Sequence, residues 1–172
     1  MIRLADILGL FGNLLLFLVQ VLILKNVVMY DYAFCFAYVM LILMIPLDTS
    51  PIVQLLVGFS IGIIIDVFYN TIGMHAAASV LMVFVKIYWM KVLTPSGGYD
   101  IGTRVNMQTQ GLQWFIIYAF PLILVHSFSL FIIEASGFNL FGQTLLKGLY
   151  SSVFTMIMVL ILQYLFYKKI NS

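Results

Sequence analysis

The sequence predicts an all-α membrane protein, a polytopic bundle of six transmembrane helices. Three observations lead there. The 172 residues are 64% hydrophobic and 8% charged, with a mean hydropathy of +1.15, whereas soluble domains are nearer half apolar and a quarter charged. A chain this small has too much surface for its volume to bury so many apolar residues, so a bilayer must solvate the excess. The apolar residues also fall into runs close to the roughly 20 residues that a spanning helix requires.

The first run, 7–24, is interrupted only by Asn13 and Gln20. It is too long for a signal-peptide core and no small-residue cleavage site follows it. Lys25 to Asp31 is a polar break, and the second run, 32–47, ends at Pro46, where helices commonly stop. Asp48-Thr49-Ser50-Pro51 reads as a turn leading into a helix, because a proline at the first helical position gives up an N–H that has no partner there anyway. The third run is 52–68. Asn70 and Gly73 mark a tight connection to the fourth run, 74–93. The longest polar stretch, 94–111, precedes the fifth run, 112–133, which contains Pro121 and His126. A mixed loop then leads to the sixth run, 145–166. Residues 1–172 thus read as a single integral membrane domain, with no extramembrane domain and no internal repeat of the kind that marks many transporters.

The net charge of +2 leaves no basic patch for nucleic acid. The single cysteine, Cys35, can form neither an internal disulfide nor a multi-cysteine metal site. Six spans put both termini on one side. That side carries Arg3, Lys91, Arg104, Lys168 and Lys169, the other only Lys25 and Lys147, so the excess of positive charge places both termini in the cytoplasm.

An ionisable residue inside a span is costly and is a functional candidate by default. Asp66 is the foremost. Gly58, Gly62 and Asp66 are spaced by four and share one helical face, and glycines at that spacing admit a second helix closely. A packing or partner groove capped by a carboxylate is favoured over a proton or ligand site, since ion pathways usually carry more than one buried acid. His126 and Glu134, eight apart, share a face. The topology brings His126 to the depth of Asp66, within reach of a hydrogen bond, and sets Glu134 near Lys147 at the rim. Lys86 lies roughly 12 Å from Asp66 in depth and is expected to snorkel to the cytoplasmic interface. Asn13 and Gln20, seven apart, are expected to bond to neighbouring helices.

Gly58-Phe59-Ser60-Ile61-Gly62 matches G-x-S-x-G, but that motif works on a strained strand-to-helix turn. Within an apolar helix a serine more often bonds back to its own backbone. An intramembrane hydrolase using Ser60 with His126 or His75 is therefore a minor reading. No phosphate loop, H-E-x-x-H or paired-cysteine motif occurs, and the histidines and acids lack metal-ligand spacing. No catalytic residue, cofactor or metal is expected.

Gly58 through Asp66 followed by Gly73-Met74-His75-Ala76, together with Val125-His126-Ser127 and Phe131-Ile132-Ile133-Glu134-Ala135, resemble the two signatures of the MreD family of bacterial rod shape-determining membrane proteins. Thr71-Ile72 stand where that family often has a proline before the glycine. The resemblance implies a non-enzymatic subunit of the cell-elongation machinery in the bacterial cytoplasmic membrane. Its implied partners are MreC and, through it, the MreB filament and the RodA–transpeptidase synthase of peptidoglycan. It also implies a fold similar to the substrate-binding subunits of energy-coupling-factor transporters. The residues assigned to a partner or helix-packing interface are Gly58, Gly62, Asp66, His75, His126 and Glu134. The main rival is a vitamin-binding subunit of such a transporter. A lesser one is a proton-coupled carrier centred on Asp66.

Overall fold

A computed structural model describes residues 4–29, 32–95, 97–99, 105–135 and 141–167, except the side chains of 4–11, 13, 166 and 167. Arg3, Arg104, Lys168, Lys169 and the Asn13 side chain, used above for orientation and packing, lie outside the described residues. The elements are α1 (Leu4–Leu22), a 3-10 turn (Leu24–Asn26), β1 (Val28–Met29), β2 (Ala33–Phe34), α2 (Val39–Leu43), α3 (Pro51–Tyr69), α4 (Met74–Leu93), α5 (Met107–Gln110), α6 (Leu112–Ala135) and α7 (Phe141–Tyr167). Among the described residues, four helices, α3, α4, α6 and α7, are long and apolar enough to cross a membrane. They pack in chain order, α3 on α4, α4 on α6 and α6 on α7.

Local sequence explains the helix ends. Pro51 opens α3, as its missing N–H allows. The link to α4 turns through Asn70, at φ 54°, and Gly73, at φ 75°, the two residue types that adopt left-handed backbone at least cost. Within α6, Pro121 cannot donate to the carbonyl of Ile117. The Trp89 indole of α4 donates to that carbonyl instead, at 3.3 Å, so the proline doubles as a helix–helix contact.

The second run is the main departure from expectation. No spanning helix forms over 32–47. The chain makes a short antiparallel hairpin, Val28 opposite Phe34 and Met29 opposite Ala33. It then runs without regular structure to the five-residue α2. This segment is the centre of the molecule, with every residue from Cys35 to Met40 at most 3% exposed. Tyr38 meets the ring of His75 and Ile42 and Ile45 meet Lys86. His75 and Lys86 are roughly 16 Å apart along α4, so the segment threads the bundle lengthwise.

Irregular backbone at membrane depth survives only when protein groups satisfy it. The surrounding helices supply those groups. From α1, Gln20 donates to the Cys35 carbonyl at 2.9 Å and accepts from the Tyr38 N–H at 3.2 Å. From α7, Ser151 and Thr155 accept from the N–H groups of Phe34 and Phe36 at 2.9 and 3.0 Å. From α6, the Tyr118 hydroxyl donates to the Leu43 carbonyl at 2.8 Å. From α4, the Lys86 ammonium donates to Ile42 and Ile45 at 3.2 and 3.3 Å. Lys86 is 1% exposed. It does not snorkel, because the carbonyls at the end of α2 hold it inside.

Candidate functional site

The expected site residues divide into those drawn into one cluster and those left outside it. Gly58 and Gly62 line a close approach of two helices, but the groove is filled by the chain itself. A Cβ on Gly58 would stand 2.8 Å from Val83 Cγ2, and one on Gly62 would stand 2.4 Å from Ala76 Cα. Both contacts belong to α4, so these glycines pack α3 on α4 and offer no open groove to a partner.

One turn beyond Gly62, Asp66 is 3% exposed and reaches across to the start of α4. Its Oδ1 accepts from the His75 N–H at 3.0 Å and its Oδ2 from the Ala76 N–H at 3.0 Å. The Thr71 hydroxyl donates to Oδ1, and His75 Nδ1 lies 3.1 Å from the same oxygen. The first N–H groups of a helix lack intrahelical partners and form its positive end. A carboxylate there both satisfies them and meets their charge. Asp66 is therefore the cap of α4, supplied by the preceding helix. Thr71, which stands where the resembled family often has proline, is one of its donors.

Lys25 completes this end of the hairpin. Its ammonium donates to the Phe68 carbonyl and lies over the Tyr69 ring, 5.3 Å from its centre. A cation at the last turn of α3 suits the negative end of that helix. Tyr69 in turn packs on His75 at 4.8 Å between ring centres and accepts a hydrogen bond from Gln20 at 2.7 Å.

His126 does not bond to Asp66. Its Nε2 faces the Tyr38 hydroxyl at 2.6 Å, and its ring packs edge-on against Phe36 and Tyr38, both 5.5 Å away. The two histidines thus clasp the threaded segment from α4 and α6. Asp66 has no need of His126 because the nearer α4 N-terminus occupies it. Glu134 is exposed, not on a common buried face with His126. The expected Glu134–Lys147 pair is not formed. Lys147 lies over the rings of Phe34 and Phe131, at 5.9 and 6.0 Å, and His75–Asp66 is the one contact within ion-pair distance among the described residues.

Ser60 is exposed and its hydroxyl donates to the Leu56 carbonyl of its own helix at 2.8 Å, apart from the buried histidines. Ser60→Ala is expected to leave stability within about 0.5 kcal/mol of the parent, read as an unchanged melting profile in detergent. No group of three histidine, cysteine or acidic side chains among the described residues is placed to hold a metal ion. Neither of the two prominent cavities is lined by Asp66, His75, His126 or Glu134.

Gln20, Tyr38, Thr71, Tyr118, Ser151 and Thr155 belong to the buried network without having been singled out as site residues. A detectable signal existed for the threaded segment. Tyr32, Phe34, Phe36 and Tyr38 alternate with period two, the periodicity of extended chain and not of a helix. Fold and site together define a helical membrane bundle organised around one buried non-helical segment. No family model, curated protein or solved structure matches the chain.

Proposed function

We propose that the chain is a non-enzymatic MreD-type subunit of the bacterial cell-elongation machinery. In this reading it sits in the cytoplasmic membrane with both termini in the cytoplasm. It binds MreC, and through MreC associates with the RodA–transpeptidase synthase and the MreB filament. One observation chiefly supports the reading. The residues of the first of the two resembled signatures, Gly58, Gly62, Asp66, Gly73, His75 and Ala76, meet in a single hairpin in which they serve packing, turn or capping roles. Ionisable groups used in this way suit a protein that presents a fixed outer surface to other membrane helices, whose affinity comes from packing and interhelical hydrogen bonds.

Affinity purification from native membranes in mild detergent, followed by mass spectrometry, tests the proposal. MreC is expected to co-purify, with the synthase pair in lower yield. Recovery of an ATPase-coupled membrane subunit or a tightly bound vitamin, without MreC, would replace it with the energy-coupling-factor reading.

A further inference from the structure

At the opposite end of the bundle from Asp66, where α3 begins and α4 ends, lies a cavity of about 480 Å³ lined by Asp48, Ser50, Gln54, Lys86, Lys91 and Tyr99 among others. That volume falls within the usual range for small-ligand sites, roughly 300–1,000 Å³. Three features of its wall are left incomplete by the chain. Lys86 has three donors but reaches only the two carbonyls of Ile42 and Ile45, and no carboxylate among the described residues pairs with it. Gln54 is 6% exposed; its Nε2 donates to the Thr49 carbonyl at 2.8 Å, while its Oε1 is buried with no hydrogen-bond partner. Ser50, at the start of α3, makes no capping bond, so the positive end of that helix faces the cavity unmet.

The charges favour an anion. Lys86 lies at the wall and Lys91 is exposed, its ammonium over the Tyr88 ring at 5.2 Å. Among the described residues the one carboxylate on the lining, Asp48, is exposed and not within ion-pair distance of either lysine. The unmet Gln54 oxygen asks in addition for a donor, which a simple anion lacks. The cavity adjoins the polar turn from which α3 leaves, at the depth where lipid headgroups lie and basic pockets between helices bind them.

We propose that this cavity binds an anionic phosphate bearing a hydroxyl, either the headgroup of phosphatidylglycerol or a soluble glycerol phosphate. Lys86, Lys91 and the start of α3 meet the phosphate, and Gln54 Oε1 accepts from the hydroxyl. The site does not depend on the MreD-type reading, and either stands if the other fails.

The test uses the full chain in nanodiscs. Retained lipid is counted by native mass spectrometry in phosphatidylcholine discs doped with phosphatidylglycerol. Glycerol phosphate is titrated calorimetrically into discs of phosphatidylcholine alone. Gln54→Glu preserves shape but adds a negative charge, and is expected to weaken binding at least about tenfold; Lys91→Gln, at the rim, should weaken it about threefold. Preferential retention of phosphatidylglycerol, with no binding of the free compound, assigns the site to lipid. Calorimetric binding of glycerol phosphate assigns it to the soluble source. Equal retention of both lipids with no glycerol phosphate binding overturns the proposal, as does binding that neither substitution changes. Lys91 is exposed, so its variant reports even if Gln54→Glu does not fold.

Discussion

Gly62→Ala is expected to destabilise the protein by at least about 3 kcal/mol, and Gly62→Leu to abolish the folded monomer in detergent. The first atoms that a Cβ at Gly62 would meet are the Ala76 Cα at 2.4 Å, the Ala76 nitrogen at 2.7 Å and the His75 carbonyl oxygen at 2.8 Å. All three are backbone, so no change of rotamer relieves the overlap and the two helices must part. Parting them also stretches the Asp66 cap, whose donors include the N–H groups of His75 and Ala76. Gly58→Ala provides the contrast. Its nearest neighbour is a methyl group of the buried Val83 at 2.8 Å, a side chain instead of backbone, and a smaller cost of about 1–2 kcal/mol is expected. Thermal melting followed by size-exclusion chromatography distinguishes the two. Equal loss at both positions would mean that the α3–α4 contact is softer than its geometry. A lost partner complex in Gly62→Leu is then a consequence of a lost fold, and tests of partner binding belong on exposed residues.

The helices α3, α4, α6 and α7 were legible because each is a long apolar run bounded by polar turn residues, and in a membrane those two features largely determine a helix. The expected run 74–93 coincides with α4, and the runs 52–68, 112–133 and 145–166 fall inside helices that reach from one to four residues beyond an end. The run 32–47 failed as a helix for a physical reason. Apolar composition reports burial, and burial against lipid and burial against protein leave the same signal. Cys35 through Met40 are enclosed by protein on all sides, so their backbone can be satisfied by Gln20 and Thr155, with Ser151 holding the adjoining Phe34, instead of by an i to i−4 ladder. These polar residues are scattered over two helices at opposite ends of the sequence, α1 and α7. Only Gln20 stood out in the sequence, and its expected interhelical bonding proved to serve a segment that is not a helix.

The site shows a similar division. The spacing of Gly58, Gly62 and Asp66 correctly indicated one helical face and a close helix approach. It left open what approached, because spacing within one helix carries no information about which chain fills the groove. Lys86 was misplaced for a related reason. Snorkelling is the cheaper fate for a lysine in a lipid-facing position, but α2 ends beside this one and its free carbonyls are a nearer partner than water. Nothing in the sequence marks 39–43 as a helix terminus at that depth.

Asp66→Ala is expected to cost about 3–5 kcal/mol, the other large effect. The substitution leaves the Thr71 hydroxyl and the N–H groups of His75 and Ala76 without their acceptor, at a position where Asp66 itself is 3% exposed and water cannot easily replace it. Asp66→Asn keeps one acceptor oxygen but turns an amide donor toward N–H groups that also donate. It should cost less, about 2 kcal/mol, and Thr71→Val, which removes the hydroxyl's contacts with Asp66 Oδ1 and His75 Nδ1 but leaves both backbone bonds of the cap, about 1 kcal/mol. That order, read from thermal melts of the three variants in one detergent, follows from a cap. A proton-carrying carboxylate leads elsewhere, since Asp66→Asn would then preserve the fold while abolishing a pH-driven proton flux in proteoliposomes. A stable Asp66→Asn protein that has lost such a flux would therefore remove the capping role from the centre of this structure. Graded instability across the three variants, with no flux in the parent, would place the carboxylate's work in holding α4 to α3.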